Sequence, residues 1–358
     1  KLHTKTMIRI LLLPFALICW TALHAQVLEV TNAPPITPQN LITNIFLGDG
    51  VQVLSVNYEG PNMAVGFFKE GQTAVGMDRG LVMTTGRAVT QGLNFGVAEP
   101  GSRQASVDNM SNVTDADLDA IAGGVPIHNV TRYTITFIPI ADTLRFRYAF
   151  ASEEYPEFVC SEFNDIFGFF ISGPGINGPY QNNAINIARV PGTNLPVTIN
   201  NVNPGVVGAA GELINCTPPR GSLAYGTFYN DNDGSNVFPI YDGITDVFVA
   251  EAVVQPCQVY TIKLVICDVS DQVYDSGVFL EAKSFGTGSL NVDVATVSLD
   301  GSVAEGCSSA NITFSLPNRV ESDFPIDFQL IGTAINGVDY EQIPTNLFIP
   351  AGDSSVSI

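Results

Sequence analysis

The chain has 358 residues, of which 46% are hydrophobic and only 14% charged, and it carries 35 acidic side chains against 15 basic ones for a formal net charge of −20. That balance excludes nucleic acid and anionic membrane surfaces as partners, because both are bound by neutralising phosphates with cations. It favours divalent cations, and the high apolar content marks a folded chain rather than an acidic disordered one.

In chain order, Arg9 precedes the apolar run IRILLLPFALICWTALHA. A basic start, a short apolar stretch and small residues before Gln26 read as a signal peptide over residues 1–25, cleaved after Ala25. Pro14 and the length of the run argue against a membrane span, so no membrane insertion is expected once the leader is gone. Ile18 before Cys19 argues against a lipidated cysteine. The leader takes Lys1, Lys5 and Arg9 with it and no acid, which leaves Lys69, Lys263 and Lys283 as the remaining lysines. An exported chain with cysteines is expected to form disulfides. Cys160–Cys216 is the preferred pair and Cys160–Cys257 the alternative. Cys257 and Cys267 flank the strand-like QVYTIKLVI, which holds them too far apart to bridge. Without CxxC spacing and with little histidine, zinc is not expected.

Residues 26–36 are a proline-rich lead-in. Thr37-Pro38 predicts an N-cap with proline in the first turn of a short helix reaching Leu47. TDADLDAIA from Thr114 predicts a second helix with acids in its first turn. Most of the rest alternates with period two or is β-branched and aromatic, broken by Gly, Pro and Asn clusters. In TLRFRYAF, Leu144, Phe146, Tyr148 and Phe150 share one face while Arg145 and Arg147 share the other, as in a half-buried antiparallel strand. The fold expected is mainly β: an antiparallel, jelly-roll-like β-sandwich over residues 37–286 with one or two short helices. Near GTGSLNV the character changes, and a second unit runs over 287–358. It stops inside a strand-like pattern, so a longer protein is expected.

Nucleophilic catalysis needs a positioned base. The only histidine after the leader is His128, in a loop-like stretch, and GxSxG, HExxH and phosphate-loop motifs do not occur. Acids instead recur at strand ends: Glu153 and Glu154 after TLRFRYAFAS, Asp165 before IFGFFIS, and Asp268, Asp271 and Asp275 in DVSDQVYDS. If these strands pair, the carboxylates gather at one rim, where they would repel one another and raise their own pKa values unless calcium bound them. The competing readings are ordinary turns, which favour Asp, Ser and Gly, and a carboxylate pair acting on glycosides. Neighbouring residues on a strand point to opposite faces, so Glu153 and Glu154 make a poor catalytic pair. Asp231-x-Asp233-x-Ser235 opens like a calcium loop but has Asp242 where the bidentate glutamate belongs, and reads as a solvated turn. Tyr241-Asp242-Gly243 reads as a turn.

FASEEYPEFV, NDIFGFFISGPG, YDGIT and PCQVYTIKLVICDVSDQVYDSGVFLEA together resemble the choice-of-anchor L domain of secreted bacterial surface proteins, common in Bacteroidetes. The resemblance implies a surface module without an established enzymatic activity. SVAEG, NITFSL and GTAINGVDYEQIPTNLFIPAGDSSVSI resemble a Calx-beta domain, which implies an immunoglobulin-like sandwich, incomplete as it stands, with Glu305 and Asp339 as candidate calcium ligands. Together the two resemblances imply the N-terminus of a gliding or adhesion protein on the outer surface of a Gram-negative bacterium, exported by type IX secretion. They imply contacts with the outer-membrane secretion and motility machinery and with a surface glycan or substratum. The alternatives are a carbohydrate-binding or carbohydrate-active domain using the acidic strand ends, and a structural spacer.

Overall fold

A computed structural model describes residues 27–31, 37–101, 104–234, 237–287, 291–295, 309–316, 323–326, 328, 330, 333–344 and 346–358. The expected leader therefore lies outside the described residues. No helix among the described residues is long and apolar enough to cross a membrane.

The strands in chain order are β1 (Glu29–Thr31), β2 (Val51–Glu59), β3 (Val65–Lys69), β4 (Gly80–Thr84), β5 (Ile127–Pro139), β6 (Thr143–Ser152), β7 (Ile166–Ser172), β8 (Ile185–Asn186), β9 (Tyr229–Asp231), β10 (Gly243–Thr245), β11 (Phe248–Val253), β12 (Tyr260–Val269) and β13 (Ser276–Glu281). They form two antiparallel sheets. The larger has the order β1-β3-β4-β13-β6-β10-β9, and β11 also pairs with β6; the smaller has the order β2-β5-β12-β7-β8. β10 pairs with the end of β6 at Ala151 and Ser152, and β11 with its start from Thr143 to Tyr148, so the two lie end to end along one edge of β6.

The sandwich expected from the sequence is what forms. Leu144, Phe146, Tyr148 and Phe150 of β6 are fully buried and meet Tyr133, Ile135 and Phe137 of β5, Phe167 and Phe169 of β7, and Ile262 and Leu264 of β12. Phe146 and Tyr148 both stand edge-on to Phe169, with centroids 5.0 and 4.9 Å apart. Burying one such ring contributes roughly 1.5–3 kcal/mol. On the opposite face of β6, Arg145 pairs with Glu251 at 2.7 Å and Arg147 with Glu281 at 2.6 Å. The outer faces are covered as well. Phe68, Val82, Tyr241 and Phe279 pack over the larger sheet. Leu118, Val130, Phe170 and Val265 pack over the smaller one.

The first predicted helix is shorter and wider than expected. Thr37 Oγ1 accepts from Asn40 N–H at 3.2 Å and caps one α-turn, Pro38–Asn40. A six-residue π-helical turn, Leu41–Phe46, follows and buries Leu41, Ile42 and Phe46. The second helix, read from Thr114, is Ala116–Ala122, capped by Asp115 and ended by Gly123 at φ +67°. Residues 29–31, read from sequence as part of the lead-in, form edge strand β1 against β3. Farther along, strands Asn291–Ala295, Asn311–Ser315 and Ser355–Ser357 make one small sheet, and Phe324–Pro325 pairs with Phe348–Ile349. Cys160 and Cys216 form a disulfide, while Cys257 and Cys267 are free thiols.

Candidate functional site

Antiparallel pairing brings strand starts and strand ends to the same rim. Ser152 at the end of β6 is in register with Ser276 at the start of β13 and with Gly243 at the start of β10. In the other sheet Cys267, near the end of β12, faces Ile166 at the start of β7. Each acid adjoining these residues is therefore delivered to one end of the sandwich: Glu153 and Glu154 after β6, Asp275 before β13, Asp242 before β10, Asp165 before β7 and Asp268 next to last in β12.

Hydrogen bonds knit this rim across the two sheets. Glu154 N–H donates to Ser152 Oγ at 3.0 Å, which lies 2.8 Å from Ser276 Oγ. The Ser276 hydroxyl donates to Asp165 Oδ2 at 2.7 Å, and Val269 N–H to Asp165 Oδ1 at 2.9 Å. Val107 N–H reaches both oxygens of Asp275 at 3.0 and 3.1 Å. Gly86 is required here, since a Cβ would fall 1.7 Å from Asp275 Oδ2. Asn129 sits at a bulge where the β5–β12 register shifts, with φ +52°, and its Nδ2 donates to Asp268 Oδ2 at 2.9 Å. Bulges of this kind re-aim a side chain near a site.

Glu153, Glu154, Asp165, Asp268 and Asp275 are each between 1 and 6% exposed. No lysine or arginine makes an ion pair with any of them among the described residues. The charges acting on them are other acids. Burial pushes Glu154 up to about 11, helped by Asp165, Asp271 and Asp268. It pushes Glu153 up to about 9, helped by Asp242. Asp165 and Asp275 rise to about 7 through burial, against the hydrogen bonds they accept. Burial, then Asp165 and Asp275, raises Asp268 as well. Glu153 Oε2, Glu154 Oε2, Asp268 Oδ1 and the amide oxygen of Asn129 are buried without a hydrogen-bond partner among the described residues. Such a centre must hold protons or a cation, since adjacent buried carboxylates cannot all ionise uncompensated.

The acids that raise the two neighbouring glutamates differ in the main: Asp165, Asp271, Asp268 and then Glu153 itself for Glu154, but Asp242, Asp275 and Glu157 for Glu153. Asp271 is half-buried at the margin, where its Oδ1 accepts from Val273 N–H at 3.0 Å in a tight turn. Of the other candidates, Asp339 is exposed and its Oδ2 accepts from Ile335 N–H at 2.7 Å, while Glu305 lies outside the described residues. Asp231 closes its own turn by accepting from Asp233 N–H at 3.3 Å, and Ser235 lies outside the described residues. Sequence reasoning missed Asn129 and Asp242 as members of the rim. Asp242 was legible as the acid just before strand GIT, but Asn129 depends on a bulge that no local pattern announces.

Among the described residues no three His, Cys, Asp or Glu side chains form a ready-made metal-ligand group. Apart from Glu153 Oε2, the unpartnered rim oxygens named above are of mixed type, two from the carboxylates of Glu154 and Asp268 and one from the amide of Asn129. Hard cations such as calcium accept mixed carboxylate, amide and water oxygens in irregular geometry.

No curated protein and no solved structure matches the chain. Residues 29–286 match the family model of the choice-of-anchor L domain, which is not a family of enzymes and which points to an extracellular or surface protein. That match covers most of the chain and the whole of the rim, so the chain belongs to the choice-of-anchor L domain family.

Proposed function

We propose that this chain is a non-catalytic adhesive module of a cell-surface protein whose rim is locked by a calcium ion. Glu154, Asp268 and Asn129 would hold the ion, with Asp165 and Asp271 supplying charge nearby. The observation that carries this reading is the set of buried carboxylates without a cationic partner, together with the unpartnered Asn129 oxygen beside Asp268. An ion there would tie the ends of β6, β7 and β12 together and stiffen the turns that face outward. Residues 287–358 fit a following Calx-beta-like module, and with it the wider reading of an adhesin of gliding Bacteroidetes, exported by type IX secretion to the outer surface. The adhesive role rests on the family and on the sequence resemblance.

The test is calorimetric titration of the chain with calcium, paired with melting in calcium and in chelator. Saturable binding and a higher melting temperature are expected, since an ion that binds only the folded form stabilises it by about 2.7 kcal/mol at a hundredfold excess over Kd. A flat titration with unchanged melting removes the ion from this reading. Retention of chain-coated beads on glycan surfaces, with and without calcium, tests the adhesive part.

A further inference from the structure

We propose that the cleft beside the rim binds a primary ammonium group carried on an apolar stem. The cleft has a volume of about 540 Å³ and is lined by Glu153, Glu157, Asp233, Asp242, Phe158 and Tyr274, with no lysine or arginine among its described lining residues. Glu153 is 6% exposed, and its Oε2 has no hydrogen-bond partner among the described residues. Asp242 Oδ1 is likewise buried and unpartnered. Two acceptors are thus withheld from solvent in a cavity of ligand size with nothing in the described protein to satisfy them.

The walls are preformed. The rings of Phe158 and Tyr274 lie 5.3 Å apart at 40°. Tyr274 is held at φ +65°, a conformation that bulky residues rarely adopt without a surrounding structure to enforce it. The facing wall is fixed to the Glu153–Cys160 turn. Gly208 N–H donates to Val159 O at 3.0 Å, Ala210 N–H to Glu157 O at 2.9 Å and Glu212 N–H to Cys160 O at 2.7 Å. The Cys160–Cys216 disulfide closes the same wall.

The composition of the cleft selects among ligand classes. Anions are repelled by four carboxyl groups. A neutral polyol brings no charge to offset the one these carboxyls take on when they ionise. A bare metal ion has no use for the aromatic wall. An ammonium group brings a charge and three donors, and its methylene stem lies well on ring faces. This inference does not depend on calcium at the rim, because it rests on Glu153 and Asp242 rather than on Glu154 and Asp268.

The experiment is calorimetric titration of the full chain with cadaverine and, separately, with 1,5-pentanediol, at near-physiological salt and in chelator. We expect saturable one-site binding of cadaverine and none of the diol. Asp242→Asn combined with Glu157→Gln should weaken cadaverine roughly tenfold or more. Asp142→Asn, at the opposite end of β6, should change nothing. Asp242→Asn alone should not lower the melting temperature, because the oxygen it replaces has no partner, so lost binding would not reflect lost folding. No binding, equal binding of the diol, or equal sensitivity to Asp142→Asn overturns the proposal. So does displacement of cadaverine, in a parallel titration without chelator, by one equivalent of calcium that itself depends on Asp242, which would make the cleft a metal site.

Discussion

Two buried acidic groups in this domain meet opposite fates. At the N-terminus of the helix Ala116–Ala122, Asp115 and Asp117 are nearly inaccessible, yet Lys263 Nζ lies 2.7 Å from one and 2.6 Å from the other, and Arg132 Nη1 lies 3.0 Å from Asp115. At the rim, Glu153, Glu154, Asp165, Asp268 and Asp275 are just as buried and have hydroxyls, amides and one another for company. Both clusters touch β12: Lys263 stands near its start and Asp268 near its end. Among the described residues, one of the chain's few lysines serves the first cluster and none serves the second. An acid cluster completed by the protein's own cations is finished architecture, whereas one left incomplete depends on something from solution.

The sharpest break in this comparison is to remove the lysine. Lys263→Met keeps most of the apolar stem but removes Nζ, which lies over the Phe170 ring 4.8 Å from its centre, and so strips the positive charge from Asp115 and Asp117. Breaking a buried pair from one side costs about 3–5 kcal/mol. Urea denaturation should show a loss of that size with an unchanged m-value. A loss below about 1 kcal/mol would mean that Arg132 alone neutralises the site and that the contrast with the rim is one of degree.

The second test uses pH. The rim carboxyls have folded pKa values above those of the unfolded chain, about 7 for Asp165 and Asp275 and about 9 for Glu153. The folded state therefore binds more protons, and this contribution is complete below the ordinary carboxylate range and is lost as pH rises through the folded values. In chelator the melting temperature should fall between pH 5 and pH 8. Calcium should restore it at pH 8 and do little at pH 5, where protons already occupy the carboxyls. A flat profile in chelator would mean that these acids are already compensated.

How much of this was legible in the sequence follows from what is local. TLRFRYAF declares its buried face through strict alternation, and β6 forms as read, with the arginines outward and paired. The six acids at the rim were legible because each sits at the end of an apolar run, and antiparallel sheets collect such ends. The helix from Thr37 was only partly legible: the cap and proline set its first turn, but burying Leu41, Ile42 and Phe46 together widened the rest into a π-helical turn. Asn129 and Asp242 escaped notice for a related reason. Their roles come from a bulge and from pairing with β6 across nearly a hundred residues; Asp242 stands visibly before strand GIT, but no short window shows that this strand joins β6 or that β5 bulges at Asn129. Likewise, nothing near Asp115 announces Lys263, which arrives through the β5–β12 pairing.

The smallest expected effect probes the same contrast from the other side. Asp268→Asn replaces a buried acid by a neutral group of the same shape. The new side chain can still accept from Asn129 Nδ2, and its own amide can face the oxygen that Asn129 leaves unpartnered. An uncompensated buried charge is costly, and a well-packed neutral substitute is often neutral or stabilising. In chelator at pH 8, stability should therefore stay within about 1 kcal/mol of the parent or rise. The same variant should lose the melting increase that calcium gives the parent, because the ion loses a carboxylate oxygen. A loss above about 3 kcal/mol in chelator would mean that Asp268 is held by a compensating positive charge even without calcium, and the two acid clusters would then be alike.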